Sequence, residues 1–358
     1  MQKPRSLSSA KNLAEKYRYA GDTPQGTVGN SAQTAQQIKR MLSSNGLQIT
    51  QALTPKLYES LETACKNLTL PVERVFAYVS SLPELQAQCF EADDDNCVIN
   101  ISSGLINLLN ADEITFVIGH EIGHHILRHN QEGEAQASIE SLMNQRAKEI
   151  SVDRAGLIAC QSLESSLRAT MKVLSGLPDE FIRFDTANFI NQLRNADQQD
   201  ATLADSLMTH PSLILRARAL LWFSMNDEIK LGDKLGSLPL EKIDDWVRKD
   251  LDRYIDKPAR DNITNIENDL FFWTCIKTTT LKGKFTRKDR QNLIEEFGEN
   301  DVKKLISAIE DMNIDEVAEF LNKKISETSE ELAWLVPNSV GKRIEGIDQK
   351  VISFKKQP

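Results

Sequence analysis

The sequence is short of the features that mark specialised chains. Its 358 residues hold 5 cysteines, an odd number, and Cys65, Cys89, Cys97, Cys160 and Cys275 form no Cys-x-x-Cys pair. That argues against a disulfide framework and a cysteine-rich metal cluster, and for reduced thiols in the cytoplasm. No apolar run approaches the ~18 to 20 residues of a membrane helix, so no transmembrane segment is expected. The opening MQKPRSLSSAKNLAEKYRYAGD is basic but has no apolar stretch of signal-peptide length. Positive charge is in deficit: 43 Lys+Arg against 52 Asp+Glu give a formal net charge of -9. A chain built to neutralise phosphates needs a basic face, so no nucleic-acid partner is expected. There is no internal repeat and no low-complexity tract.

What is present is an ordinary globular composition, 40% hydrophobic and 27% charged. The length suffices for two domains and a large core. Histidine is scarce, at 5 residues, which makes its arrangement informative. Residues Phe116 to Asn130 read FVIGHEIGHHILRHN and contain His120-Glu121-Ile122-Gly123-His124, an H-E-x-x-H motif. On a helix, positions i and i+4 share a face about 6 Å apart, so both imidazoles can reach one metal ion. Glu121 lies one step round, able to reach a water on that metal. This is the zinc-hydrolase arrangement of two ligands and a general base. Chance would supply the motif in on the order of one per cent of such chains. The apolar flanks Phe116, Val117, Ile118, Ile122, Ile126 and Leu127 predict a buried helix, where imidazoles need partners or a metal. The competing account is a pair of hydrogen-bonded core histidines beside a surface glutamate.

A catalytic zinc takes three protein ligands and keeps one position for water. In QRAKEISVDRAGLIAC, Glu149 and Asp153 stand four apart on one face of a second helix. Glu149 would complete the metal site, and Asp153 would accept a hydrogen bond from the outer ring nitrogen of a ligand, His120, fixing its tautomer. A solvated helix face, with Asp153 paired to Arg154 or Arg146, would fit the same spacing. His125 and His129 fall off the ligand face and read as hydrogen-bonded structural histidines. Gly119 and Gly123 allow either a close neighbour or plain helix packing.

HEIGH followed by E-x-x-x-D, then by Thr209-His210-Pro211-Ser212 and Arg216, resembles the M48 family of zinc metallopeptidases over about residues 50 to 222. The run from RVFAYVS through CVINISSGLINLLNADEITF fits the family's strand, helix start and acidic turn before the metal helix. The resemblance implies a soluble gluzincin-type enzyme with a zincin-like metallopeptidase core. Metal ligands would be His120, His124 and Glu149, with one Zn2+ per chain and with Asp153 and Arg216 supporting them. It also places His210 and Arg216 beside the metal. His210 would then donate to the oxyanion of the tetrahedral intermediate, and Arg216 would buttress His210 or its loop; otherwise His210 is only a helix-start residue. The expected function is a metalloendopeptidase in which the metal activates a water and Glu121 is the general base, acting on a protein or peptide. The alternative is a non-catalytic or latent zinc-containing interaction protein whose helical C-terminal half binds a partner. The strand Cys97 to Ser102 is assigned to the cleft edge, where a substrate would add as a further strand. Gln86-Ala87-Gln88-Cys89-Phe90 departs from the family's pattern. Cys89 and Cys97 read as buried thiols, with a thiolate plug on the metal as the other use.

The expected fold is mainly α with a small β-sheet (α+β). Residues 1–30 are expected to be a flexible segment, 31–225 the peptidase domain and 226–358 a helical accessory domain able to engage a regulatory partner. Helices are predicted near Thr34 to Ser44, from Thr54-Pro55 to Asn67, from a cap at Asn110 or Asp112, from Glu134 to Cys160 and from Ser165 to Leu174. Another is predicted from Phe181 to Asn195, with a stripe at Phe184, Ala187, Ile190 and Leu193. Strands are predicted at Val75 to Val79 and Val98 to Ile101, joined across the acidic loop EADDDN. In the accessory half, stripes fall at Trp246, Leu251 and Tyr254; at Val302, Leu305, Ile306 and Ile309; and at Val317, Phe320, Leu321 and Ile325. Thr286 with Asp289 marks a helix start and Gly298 its end.

Overall fold

A computed structural model describes residues 5–23, 31–91, 96–130, 138–196, 207, 210–231, 234–280, 286–309 and 312–355. The architecture is mainly helical with one four-stranded mixed sheet, an α+β fold as expected. Two compact units are formed: Met1–Ala137 with Leu142–Asp256, and Ser138–Ser141 with Lys257–Pro358. Among the described residues no helix is long and apolar enough to cross a membrane.

The N-terminal stretch corrects the sequence expectation. Leu7–Tyr17 is a helix (α1), opened by Ser6, whose side chain accepts from the Ser9 N–H. Ala10, Ala14 and Tyr17 are buried, and Tyr17 meets Phe223 edge-on with ring centroids 5.7 Å apart. Small residues at i and i+4 form a stripe too narrow to register in so polar a composition, yet they tie residues 5–23 into the core.

Helix α2 (Ser31–Asn45) stops at Gly46, and strand β1 (Leu47–Gln48) follows. Helix α3 (Pro55–Asn67) starts with Pro55 in its first turn and buries Leu61 and Cys65; Thr54 stands at its cap without a side-chain bond to it. Strand β2 (Val75–Ser80) pairs with β1, and strands β3 (Ala87–Glu91) and β4 (Cys97–Ser102) complete a sheet of order β1-β2-β4-β3. β2 and β4 run parallel in the register Val75 to Cys97, and β3 and β4 run antiparallel in the register Ala87 to Ile101. This overturns the assignment of Cys97 to Ser102 to the cleft edge. β4 lies between two strands with almost every side chain buried, as its mostly apolar sequence CVINIS suits. The edge strands are β1 and, on the cleft side, β3, whose AQCFE mixes polar and apolar residues too briefly to stand out in sequence. Of the acidic loop, 92–95 lie outside the described residues.

Helix α4 (Ser103–Leu108) is capped by Ser102. Helix α5 (Ala111–Ile126) is opened by a capping box, with Asn110 accepting from the Glu113 N–H and Glu113 accepting from the Asn110 N–H. Glu113 also holds Lys172 at 2.7 Å, a fully buried pair. Helix α6 (Ile139–Cys160) is described from Ile139, so the predicted start at Glu134 lies outside the described residues. α7 (Leu163–Ser175) closes on Gly176, whose φ of 69° suits glycine. A short turn, Asp179–Phe181, precedes α8 (Thr186–Ala196). In α8 Phe189 is the buried side chain and Ala187 is exposed. The predicted stripe is therefore out of phase there, because its first member, Phe184, precedes the helix. α9 (Leu213–Phe223) is capped by Ser212. The short pair β5 (Lys230–Leu231) and β6 (Lys234–Leu235) leads to α10 (Leu240–Leu251) and a π-turn, Asp252–Asp256. α10 buries Ile243, Val247 and Leu251.

The first unit runs past the 225/226 boundary expected from sequence for an electrostatic reason. Arg154 and Arg146 of α6 are 2% and 0% exposed. Arg154 donates to Asp244 and Arg146 to Asp256. A buried guanidinium needs its carboxylate, so residues as far as Asp256 belong to the same core.

The second unit comprises α11 (Lys257–Thr280), α12 (Arg287–Phe297), α13 (Glu299–Ile309), α14 (Ile314–Leu335) and α15 (Val340–Lys355). The predicted Thr286–Asp289 capping box and the Gly298 stop are both present. Val302 and Leu305 of α13 and Val317 and Leu321 of α14 are buried, as the stripes imply.

What positions the site is the contact of α5 with α6. A Cβ at Gly119 would overlap the Ala159 methyl, and one at Gly156 would overlap the Phe116 ring. Both positions therefore serve helix packing. In an uncrowded helix Gly→Ala stabilises by roughly 0.5–1 kcal/mol. Here Gly119→Ala is expected to destabilise by about 1–3 kcal/mol through overpacking. The urea midpoint should fall; a rise would mean that the helices cross more loosely.

Candidate active site

The sequence-predicted residues come together from three helices. His120, Glu121 and His124 stand on α5, Glu149 and Asp153 on α6, and Arg216 on α9. His120, His124 and Glu149 each offer one ligand atom, and these atoms lie within 4.8 Å of one another. His120 Nε2 is 3.7 Å from Glu149 Oε2, and His124 Nε2 is 3.6 Å from Glu149 Oε1. Bonds of about 2.0–2.2 Å at tetrahedral angles would set ligand atoms roughly 3.3–3.5 Å apart. Two imidazoles and a carboxylate at this spacing fit a divalent metal of the zinc type. No cysteine joins the group among the described residues. Cys97 is fully buried and Cys89 nearly so.

Asp153 sits where the sequence places it. His120 Nδ1–H donates to Asp153 Oδ1 at 3.0 Å, which turns Nε2 toward Glu149. Arg216 does more than expected. Its Nε and Nη2 donate to the two oxygens of Asp153, both at 2.7 Å, and its Nη1 lies 3.0 Å from Glu149 Oε2. One planar guanidinium thus holds both acidic groups that α6 brings to the site. Its partners are these carboxylates, where the sequence suggests His210 or its loop. Burial alone would raise the Asp153 carboxyl, but Arg216 beside it and the hydrogen bonds from Arg216 and His120 bring it down to about 2. The pairings with Arg154 and Arg146 do not form, since those arginines are held by Asp244 and Asp256.

Glu121 is buried beside the two imidazoles. Burial pushes its carboxyl up to about 7, with the His120 charge opposing and the Glu149 charge adding. His124 is held well below its ordinary value by burial and by the neighbouring His120 and His129, which leaves it neutral, the form that ligates a metal. His120 is shifted upward: burial alone would lower it, but the Asp153 hydrogen bond and the Glu149 charge prevail.

His210 is different in kind. Its side chain is 63% exposed and its Nε2 lies 3.7 Å from Glu149 Oε1. It stands at the mouth of a cleft of about 860 Å³, which His120, Glu121, His124, Glu149 and Arg216 also line. Ala87, Cys89 and Phe90 of β3 form one wall, and Asn130 Nδ2 donates to Cys89 O at 2.9 Å. Thr209 lies outside the described residues.

Sequence reasoning misses two groups. By its position His129 reads as a structural histidine off the ligand face, but its Nδ1 lies 3.1 Å from His124 Nδ1 and its Nε2 3.1 Å from Asp22 Oδ2. Only the +5 spacing from His124 hints at this, and nothing points to Asp22.

Removing Arg216 leaves two buried carboxylates uncompensated, a loss of about 3–5 kcal/mol. Arg216→Met is therefore expected to lower the unfolding free energy of chelator-treated protein, measured by urea titration, by that amount. The loss should be smaller in zinc-loaded protein, where a cation would offset the Glu149 charge. Equal losses in both forms would show that Glu149 does not face the metal.

Residues 51–143 match the family model for peptidase family M48. Among similar curated proteins are the protease HtpX homologs of Streptococcus pneumoniae strains Hungary19A-6 and ATCC BAA-255 / R6. Each is 29% identical over 90 residues, covering 25% of this chain and 29% of the relative. The chain thus spans under a third of the length of these relatives. No solved structure matches it. The matched segment holds His120, Glu121 and His124 and ends before Glu149, Asp153, His210 and Arg216, which the fold brings to the same place. Through this segment, whose ligand pair α6 completes, the chain is similar to peptidase family M48.

Proposed function

We propose that the protein is a zinc-dependent metalloendopeptidase. One observation carries this reading: a buried carboxylate, Glu121, stands in the same cleft as a donor set of two imidazoles and a carboxylate suited to one metal ion. A purely structural metal has no use for such a base and prefers a closed site.

His120 Nε2, His124 Nε2 and Glu149 would hold the metal, which when bound supplies Lewis acidity and lowers the pKa of a water from 15.7 to about 7. The chain's own residues do the rest. Glu121 takes a proton from the attacking water as it adds to the peptide carbonyl. The same carboxyl, able to hold a proton near neutral pH, passes it to the leaving nitrogen. His210, exposed at the mouth, donates a hydrogen bond to the carbonyl oxygen as negative charge gathers there. Arg216 keeps Asp153 ionised and holds Glu149 in place. The edge strand β3 offers its backbone to an extended substrate, which would add as a further strand. Cys89 already engages Asn130 at that edge, so pairing would fall toward Ala87.

The test is cleavage of unfolded casein by Glu121→Gln. The variant is expected to retain one zinc and to lose a factor of about 10² to 10⁴ in rate. Chelation should abolish activity in the parent, and zinc should restore it. A Gln variant that cuts as fast as the parent would contradict the mechanism. A zinc-loaded parent that cuts nothing would favour the non-catalytic interaction protein.

A further inference from the structure

The end of α5 is closed by an unusual turn. The His129 N–H donates to His124 O at 2.9 Å, and the Arg128 N–H to His125 O at 3.1 Å. This is the paired closure of a Schellman turn, in which the residue past the cap takes a left-handed conformation and is usually glycine. Here it is Arg128, with φ of 60°. A non-glycine residue in that region costs on the order of 1–2 kcal/mol, and such strain collects where a site over-determines the backbone. The turn folds His129 back beneath the metal-site imidazole. The rings of His124 and His129 stand edge to face with centroids 5.2 Å apart.

Asp22 lies beyond His129, in the segment that follows α1. It is 3% exposed and His129 is 7% exposed. Arg18 Nη1 is 3.8 Å from Asp22 Oδ1, the Asp22 N–H donates to Tyr19 O at 2.9 Å, and the Tyr19 N–H donates to Ser151 Oγ of α6 at 3.0 Å. The segment is thus pinned to the helix that carries Glu149. Burial alone would raise the Asp22 carboxyl, but its hydrogen bond to His129 holds it below the usual carboxylate range, so it is ionised.

The direction of each hydrogen bond then follows. A carboxylate only accepts, so His129 Nε2 carries the proton that faces Asp22. Its other ring nitrogen, Nδ1, stands 3.1 Å from His124 Nδ1. A His124 that ligates through Nε2 carries its proton on Nδ1 and donates it across this contact. That leaves His124 Nε2 bare and facing Glu149 Oε1 at 3.6 Å. The two ligands are thus treated alike: Asp153 fixes His120 from α6, and Asp22 fixes His124 through a second imidazole.

We propose that His129 and Asp22 are positioning residues of the metal site, a hydrogen-bonded chain that fixes His124 for coordination and makes the N-terminal segment part of the site. The inference rests on the metal reading given above. Its test uses the full-length protein and competition with a zinc chelator, so the readout is affinity and not cleavage. Outer partners of ligating histidines are worth about 10- to 100-fold in metal affinity. His129→Phe keeps a ring but removes both hydrogen bonds and is expected to weaken zinc by that range. Asp22→Asn keeps the shape and is expected to weaken it by about tenfold. His129→Asn places an amide oxygen where Nδ1 stood and should recover most of the loss. If His129→Phe fails to fold, Asp22→Asn decides. A parent that binds one zinc, with variants that hold it as tightly, would overturn the proposal and leave the peptidase reading intact. Variants that lose thermal stability but keep the parent's affinity would overturn it equally, as a merely structural contact. A parent that binds no zinc would overturn both readings.

Discussion

The crossing of α5 over α6 is the constraint on which the site depends. The level and closeness at which the two helices cross set where their donors meet. Gly119 and Gly156 supply that approach, with Ala155 and Ala159 as their small neighbours. The capping box at Asn110 and the Glu113–Lys172 pair fix where α5 begins, and the Schellman turn at Arg128 fixes where it ends. Between these stops, His120 and His124 face α6 at the level of Glu149, with Glu121 one step round the helix toward Cys89 of β3.

Around this crossing the fold buries more charge than a hydrophobic core tolerates unpaired. Among the described residues several of these buried charges have an opposite within reach: Arg216 on Glu149 and Asp153, Arg154 on Asp244, Arg146 on Asp256, and Lys172 on Glu113. Replacing such pairs by apolar residues would often cost little. Their value here is orientation, because each pair sets the rotation or the reach of a helix that carries a site residue. The clamp by Arg216 is the clearest instance, since it fixes a metal-site carboxylate and the partner of a metal-site imidazole at once.

The parts of this arrangement that are legible in sequence are those with local spacing. H-E-x-x-H and E-x-x-x-D repeat the i, i+4 geometry of a helix; spacing points to His120 and His124, and Glu149 and Asp153 follow once that motif and the family resemblance are set beside them. Caps at Asn110 and Thr286 and stops at Gly46, Gly176 and Gly298 are legible for the same reason. Long-range relations are not. The order of the sheet cannot be read from strand composition, so the sequence points to the buried β4 as the edge that β3 occupies. Helix α1 hides its contacts in small residues. His129 lies off the helical ligand face and returns to it only through a turn with a left-handed arginine, which no periodicity announces. Asp22 is remote in sequence from everything it touches beyond its own turn. The limit of the first unit at Asp256 is also hidden, because it is set by arginines on α6.

The central claim is that His120, His124 and Glu149 share one metal ion. X-ray absorption at the zinc edge of the purified full-length protein tests it most directly. The account predicts one zinc per chain, with imidazole nitrogen and carboxylate oxygen neighbours at about 2.0–2.2 Å and no sulfur. A sulfur shell near ~2.3 Å, or a spectrum without histidine, would contradict it.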